Sequence, residues 1–269
     1  MVSVIVTTRN SIQTIELCLK SIAAQSVQNT ELIVVDNHST DATIAIARKY
    51  TSCIFQHGPE RSAQRNFGAK KAQGKYLLFL DSDMELSPNV IAECLEAISR
   101  GACGIYIPEI IAGNTLWSKV RTFERSFYNG TVIDAVRFVT KEVFEKTKGF
   151  DEALTGPEDW DFDKRVRQSG KTAIISSPLY HHEENLSLKL YLSKKTYYSQ
   201  DFEKYVLKWG KQESDVKKQF GIWYRFIGVF VELGKWKKLV ADPHLTFLMY
   251  LLRIAIGISF LRRKICEVN

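Results

Sequence analysis

The chain has 269 residues, 45% of them hydrophobic and 25% charged, which excludes an intrinsically disordered chain and leaves room for one sizeable domain with its own core plus an appendage. Its five cysteines (Cys18, Cys53, Cys94, Cys103 and Cys266) are odd in number, scattered and never spaced C-x-x-C, so neither a disulfide framework nor a zinc site is expected and a reducing cytoplasm fits. The formal net charge of +7 admits nucleic acid, anionic lipid or anionic substrate; the basic excess lies largely beyond residue 185 among aromatics, which points to a membrane surface and an anionic substrate and not to nucleic acid.

Met1 leads straight into a β-branched run at 2–6 without a basic leader or a small-residue cleavage site, so this stretch is expected to be a first strand and not a signal peptide. Ile12, Ile15, Leu19 and Ile22 then recur at helical spacing. Further strands are expected at 31–35 and 75–80. A helix carrying Ile91, Leu95 and Ile98 follows Ser87-Pro88, which reads as an N-cap and a first-turn proline. Alternation of this kind over residues 1–110 predicts an α/β fold with a mostly parallel sheet flanked by helices. In 111–185 and the residues just before it, the strand candidates are shorter (104–107, 135–140, 173–176), and one helix opens near Gly156-Pro157. Residues 186–269 read as helices at 186–209, 222–233 and 245–261.

Each of the three long strands ends in a polar cluster: Thr7-Thr8-Arg9-Asn10, Asp36-Asn37-His38-Ser39 and Asp81-Ser82-Asp83. On a parallel sheet such ends form the crevice in which ligands bind. Two carboxylates on alternate residues at a strand end suit a hard divalent cation shared with phosphate oxygens, although a solvated turn has the same composition. Asp36 and Asn37 offer groups able to hydrogen-bond a base edge, while Ser39 or Thr40 serves as an N-cap. Arg61 and Arg65, four apart just before the third strand, carry the fixed fork of donors that suits phosphate. Glu158 and Asp159, behind Thr155-Gly156-Pro157, read by themselves as first-turn acids complementing a helix dipole.

The ordered set V-S-V-I-V-T-T-R-N, V-V-D-N-H-S-T-D, A-Q-R-N-x-G and L-F-L-D-S-D, continued by Gly149-Phe150-Asp151-Glu152 and Glu158-Asp159-Trp160-Asp161-Phe162, resembles family 2 glycosyltransferases of the GT-A fold over residues 1–185. The resemblance implies an inverting, metal-dependent enzyme that moves a sugar from a UDP- or GDP-type nucleotide-diphosphate sugar to a hydroxyl of a glycan or lipid-linked acceptor. It implies Asp159 as general base, with Glu158 and Trp160 on the acceptor side. Thr7, Arg9, Asn10, Asp36, Asn37, Arg65, Asp81 and Ser82 would hold the donor. Mn²⁺ or Mg²⁺ would be bound by Asp83, with Asp81 and either His181 or His182. Residues 1–110 become the donor-binding half and 111–185 the acceptor and catalytic half. Asn37 stands where many relatives have a second aspartate, and Thr8 where many have proline, which loosens the inference about the base.

The apolar run at 245–261 is interrupted by Arg253 and sits at the lower limit for spanning a bilayer. A peripheral position on the inner face of the membrane, with Lys235, Lys237, Lys238, Arg262, Arg263 and Lys264 toward anionic lipid, is the expected use of 186–269; helix packing within a homodimer is the competing one. Two other functional classes fit the sequence less well. A sugar-nucleotide nucleotidyltransferase would want a glycine-rich loop after the first strand, and Thr7-Thr8-Arg9-Asn10-Ser11 has no glycine. A catalytically idle nucleotide-binding scaffold would have no use for three acids at 81, 83 and 159.

Overall fold

The computed structural model describes residues 1–183 and 188–268, with the side chains of 188, 189, 195 and 259–268 outside the description. Among the described residues ten strands are arranged in two sheets: β1 (Val2–Thr8), β2 (Thr30–Asp36), β3 (Ile54–Gln56), β4 (Tyr76–Asp81), β5 (Met84–Leu86), β6 (Gly104–Tyr106), β7 (Glu109–Ile111), β8 (Val136–Thr140), β9 (Thr172–Ile174) and β10 (Leu179–His181). The main sheet has the order β3-β2-β1-β4-β8-β6-β9, and β5-β10-β7 form a small second sheet. Strands β1 to β4 of the main sheet run parallel, β8 is antiparallel to both neighbours, and β6 and β9 are parallel again. The expected α/β fold with a mostly parallel, helix-flanked sheet is what forms.

The helices before residue 170 cover both faces: α1 (Ile15–Ala23), α2 (Thr43–Ala47), α3 (Arg61–Lys71), α4 (Val90–Ser99), α5 (Leu116–Arg125), α6 (Lys141–Lys146) and α7 (Glu158–Ser169). Strand alternation divides the core between them. Val2, Val4, Val6, Leu78 and Leu80 face α1 and α4, whereas Ile5, Leu77 and Phe79 face α3, α6 and α7. All seven residues of β1 are buried, as a parallel strand covered on both faces requires.

Two helix starts differ from the sequence reading. Ser87 does not cap α4, which begins at Val90 after Asn89; the Ser87 carbonyl instead receives Gln25 Nε2. Ser39 and Thr40 do not cap α2 either. Ser39 folds back onto Asp36, and Asp41 takes the Thr43 N–H at 2.9 Å. Ser39 is taken by a turn hydrogen bond that competes for its short side chain, whereas at Ser87 only the backbone is engaged and the hydroxyl has no partner among the described residues.

Beyond the sheet, α8 (Leu188–Tyr197), α9 (Phe202–Trp209) and α10 (Ser214–Phe220) are followed by a π-helical turn at Tyr224–Gly228, α11 (Val229–Val231), a 3-10 turn at Glu232–Gly234, α12 (Trp236–Ala241) and α13 (Pro243–Val268). The single helix expected at 186–209 is thus broken after Tyr197, and its first two residues lie outside the described ones. The helix expected at 222–233 ends at Val231, where Glu232 turns extended and Leu233 enters the left-handed region at φ 56°. These helices share a core with the sheet domain: Tyr191, Tyr224, Val229, Phe230, Met249 and Leu252 pack with Val120, Phe127, Tyr128 and Ile133. No helix among the described residues is long and apolar enough to cross a membrane.

Candidate active site

Register sets the site. Thr8 of β1 lies beside Asp36 of β2, and Thr7 lies beside Asp81 of β4, so the three polar clusters finish at one level of the sheet edge. The loops after β1 and β2 each turn through a left-handed residue, Asn10 at φ 49° and His38 at φ 51°. Such a backbone suits asparagine because its short side chain can bond locally. Asn10 Oδ1 accepts the Thr40 N–H at 2.8 Å, and Ser39 Oγ accepts the Asn10 N–H at 2.8 Å, which laces the two loops together. Asp36 is fully buried and accepts both the Ser39 N–H, at 2.8 Å, and the Ser39 hydroxyl. Asn37 Nδ2 donates to the Pro59 carbonyl. Arg9 is exposed, and Ser82 Oγ donates to Ser11 Oγ at 2.7 Å.

Helix α3 brings its arginines to this edge because Gly68 lets it lie against the sheet. A Cβ at Gly68 would stand 2.5 Å from Ile5 Cγ2, so any larger residue would lift the helix. The neighbouring Asn66 locks the far side: its Oδ1 accepts the Phe150 N–H at 2.8 Å, and its Nδ2 donates to the Phe150 carbonyl at 2.9 Å. The R-N-x-G and G-F-D-E stretches are therefore one structural unit.

At its centre is Arg65, 1% exposed. Its Nη2 donates to Asp81 Oδ1 at 3.0 Å and its Nη1 to Asp159 Oδ1 at 2.7 Å. Arg61 repeats the pattern one turn earlier, with Asp81 Oδ2 at 3.6 Å and Glu158 Oε1 at 3.1 Å. Thr7 Oγ1 donates to Asp81 Oδ1 at 3.0 Å. Burial alone would raise the Asp81 carboxyl, but Arg65, Arg61 and Arg137 overturn that and hold it far below the usual carboxylate range. Burial and the adjacent Asp159 push the Glu158 carboxyl up, against Arg61 and Arg65. Trp160 turns the other way and stacks on Phe202 with ring centroids 5.7 Å apart, in a cluster that includes Tyr205 and Phe220.

Two residues along the chain from Asp81, Asp83 Oδ2 lies 3.2 Å from His181 Nε2, and His181 Nδ1 lies 2.6 Å from Glu109 Oε1. The small sheet makes this contact possible, since β10 pairs with β5 on one side and β7 on the other. His182 points instead to Glu85, at 3.0 Å, so His181 is the histidine that meets Asp83. Burial would lower the His181 imidazole, but Asp83 and Glu109 carry it up to about 10. Glu109 is held well below its ordinary range; burial opposes this, and Arg125, His181 and Arg137 bring it about.

Asp83 Oδ1 is buried with no hydrogen-bond partner among the described residues. A buried oxygen left over in this way fits a cation, and one or two carboxylates plus an imidazole suffice when substrate phosphates complete the shell. Among the described residues no group of three or more His, Cys, Asp or Glu side chains forms a ready-made cage, so any ion held here depends on a ligand for part of its coordination.

The structure brings Asp81, Arg65 and Asp159 into contact and sets Asp83 against His181; Arg61 joins Arg65 as the shared spacing suggests, whereas Glu109 and Tyr198 carry no role in the sequence reading. The spacing of Arg61 four residues before Arg65 was a usable signal. Glu109 was not findable, because its partner His181 is 72 residues away and both sit in three-residue strands. Tyr198, whose ring lies 4.8 Å from the Arg61 guanidinium, comes from the break that ends α8.

The mostly parallel, helix-flanked sheet, with acids two residues apart at its edge, has the GT-A type of fold seen in glycosyltransferases of known structure. The chain belongs to glycosyl transferase family 2, whose description matches residues 3–153, more than half of its length. Among characterised relatives, the GalNAc(5)-diNAcBac-PP-undecaprenol beta-1,3-glucosyltransferase of Campylobacter jejuni is 24% identical over 213 residues, covering 76% of this chain and 63% of that protein. The fold is similar to that of S. aureus TarS 1-349 in complex with UDP-GlcNAc (TM-score 0.57, 20% identity, 88% of this chain and 69% of that one). It is also similar to the mannosyltransferase PcManGT from Pyrobaculum calidifontis in complex with GDP-Man and Mn2+ (TM-score 0.63, 17% identity, 96% and 83%). The chain spans less than two thirds of the length of the first curated relatives it matches.

Proposed function

We propose that this glycosyltransferase is inverting and metal-dependent, and that it moves a sugar from a UDP- or GDP-type donor to a hydroxyl of a lipid-linked or cell-envelope glycan. The observation that carries this reading is the pair of arginine bridges, Asp81–Arg65–Asp159 and Asp81–Arg61–Glu158. They bring the donor-side carboxylate and the helix acids to the two ends of the same cations.

In this reading residues 1–110 bind the donor, 111–185 bind the acceptor and carry the base, and 186–269 form a helical segment on the membrane side. Thr7, Arg9, Asn10 and Ser82 line the donor crevice, with Asp36 and Asn37 on the base side. Asp159 takes the proton of the acceptor hydroxyl as that oxygen bonds to the anomeric carbon, while the bond from that carbon to the diphosphate breaks on the opposite face. Arg65 holds Asp159 by one oxygen and so fixes the direction from which the acceptor is deprotonated. Arg61 keeps Glu158 from swinging into that position.

Asp83 and His181 are the residues to hold Mn²⁺ or Mg²⁺, supported by Asp81. A divalent cation held by these side chains would supply charge neutralisation for the departing diphosphate. TarS bound to UDP-GlcNAc and PcManGT bound to GDP-Man and Mn2+ lend support to the donor class and the metal, and the C. jejuni relative, named for a PP-undecaprenol substrate, lends support to a lipid-linked acceptor. Such an acceptor would bring the enzyme to the inner face of the membrane.

The test is a thermal-shift panel of UDP, GDP, dTDP and CDP sugars with and without Mn²⁺, followed by NMR of the product's anomeric configuration. A ligand that binds the native state raises apparent stability by mass action. One nucleotide should respond, and only with metal, and the product should have the opposite anomeric configuration to the donor. No response to any donor, or retention of configuration, overturns the reading.

A further inference from the structure

We infer that the outward face of α13, together with α12 and the turn before it, is a docking surface that lies flat on an anionic lipid bilayer. The inference deepens the membrane-side reading above and rests on it for the class of acceptor, but the surface itself is defined by exposure and charge.

Helix α13 has two apolar sides, and only one is used by the fold. Met249 and Leu252 pack inward with Phe127, Tyr128 and Phe230. Arg253 also turns inward: its Nη1 donates to Glu124 Oε1 at 2.7 Å and to the Tyr128 hydroxyl at 2.6 Å, and its Nη2 donates to the Arg225 carbonyl. The helix is therefore fixed about its own axis and cannot roll to hide its other side. That side carries Phe247, Leu251, Ile254 and Ile258 at steps of four, three and four residues, and they are 63%, 48%, 50% and 47% exposed. A soluble surface helix carries charged or polar residues along such a stripe. Here the only charged residue between 245 and 258 is Arg253, and it is buried.

The preceding segment has the same character. Trp236 and Val240 of α12 are exposed, and Leu233, held in the left-handed region, is 90% exposed. Lys237 and Lys238 lie exposed among them, Lys238 with its ammonium also donating to the Ser126 carbonyl at 3.1 Å, while the two acids of the segment, Glu232 and Asp242, are only partly exposed. Apolar and Trp side chains next to lysines are the composition of a segment that beds into the headgroup region of anionic lipid. The side chains of Arg262, Arg263 and Lys264, which would extend this set, lie outside the described ones. A second copy of the chain is the other occupant open to such a face, but a two-fold pairing would gather the exposed Lys237 and Lys238 of both copies into one interface, which disfavours that choice.

The experiment is co-sedimentation of the full chain with vesicles of mixed phosphatidylglycerol and phosphatidylcholine, compared with vesicles of pure phosphatidylcholine. Wild type should pellet with the mixed vesicles and partition much less onto the neutral ones. The triple variant Phe247→Ser, Leu251→Ser, Ile254→Ser and the double variant Lys237→Glu, Lys238→Glu should each lose at least about tenfold in partitioning. Both variants should keep the wild-type circular dichroism and light-scattering mass. Wild type left in the supernatant, or variants that pellet as well as wild type, would overturn the inference. So would a wild-type dimer that the triple variant converts to monomer, since the face would then belong to a second copy. The donor thermal shift is measured in parallel: its absence with vesicle binding intact strikes the catalytic reading alone, whereas lost vesicle binding with the shift intact strikes the docking surface alone.

Discussion

Arg65 and Asp159 form a 2.7 Å ion pair between helices α3 and α7, 94 residues apart in sequence, and the same guanidinium holds Asp81 at 3.0 Å. A buried arginine with a carboxylate at each side of its fork is a rigid spacer. It sets the distance between the strand end that carries the donor-side acids and the helix that carries the base. In the proposed reaction Asp159→Asn preserves this spacing, because an amide oxygen still accepts from Arg65, but it removes the proton acceptor. Turnover should fall about a hundredfold to ten-thousandfold while the donor-induced thermal shift persists. A variant with near-normal kcat would remove Asp159 from the chemistry.

Arg65→Ala is expected to act on folding as well as on activity. It leaves the Asp81 carboxylate without its main partner at a site where burial disfavours charge, and loss of one partner from a buried pair costs about 3–5 kcal/mol. Urea unfolding should show a loss of that size. Arg65→Lys should restore part of it, since a point charge reaches one carboxylate but cannot span two. Equal stability for the Ala and Lys variants would mean that the bridge contributes nothing to the fold.

Much of this was legible in sequence, and the exceptions have identifiable causes. Strands β1, β2 and β4 were recognisable because each is a run of apolar residues ending in a polar cluster. The sequence alone gives Asp159 the appearance of a first-turn helix acid, and only the ordered family motifs single it out. Contacts made by three-residue strands leave no periodicity to detect, so the Asp83–His181–Glu109 chain and the choice of His181 over His182 emerge only when β5, β10 and β7 are aligned. Ser39 does not act as a cap because the nearby Asp36 takes both its N–H and its hydroxyl, and Ser87 does not because α4 begins later, at Val90 after Asn89.

For the metal, the expected outcome concerns affinity. Asp83→Ala should abolish the Mn²⁺ dependence of the donor shift, and EDTA should do the same to wild type. Glu109 meets the ring nitrogen of His181 that faces away from Asp83, so it holds the imidazole's orientation. Changing such an outer partner typically weakens metal binding by about 10–100-fold. Titrating Mn²⁺ against Glu109→Gln with the donor present, read by the paramagnetic resonance of free Mn²⁺, measures this. An unchanged affinity would confine Glu109 to its contacts with Arg125 and Arg137.

Stability should depend on pH through Asp163 of α7. This carboxylate is fully buried, accepts the Tyr106 hydroxyl at 2.5 Å, and shares Arg167 with Asp215. Burial raises it to about 6, opposed by Arg167 and Tyr106. The folded state therefore binds this proton more tightly than the unfolded chain, in which an aspartate titrates near 3.9. The contribution is complete below about pH 4 and is lost as pH rises toward 6, amounting to on the order of 3 kcal/mol over that window. Urea midpoints across this range should fall less steeply with rising pH in Asp163→Asn than in wild type, and parallel curves would show that Asp163 does not titrate there.

Gly68→Ala tests whether the site depends on how closely α3 lies against the sheet. The added Cβ would meet Ile5 Cγ2 at 2.5 Å and Val35 Cγ2 at 3.2 Å, and both belong to central strands that cannot yield easily. Helix propensity favours alanine by up to about 1 kcal/mol, whereas overpacking a tight core costs about 1–3 kcal/mol, so the net change should be a modest loss of stability. The helix relieves the clash by shifting outward, and Arg65, three residues before Gly68, moves with it. A displacement of about 1 Å at a positioning residue is enough to lower turnover about a hundredfold, so activity should fall by more than stability does. Ile5→Ala in the same chain removes both Ile5 γ carbons that the new Cβ would meet and should recover part of the lost turnover. A double variant no better than Gly68→Ala alone would mean that α3 is positioned by other contacts, with the Asn66 bonds to Phe150 the first to examine.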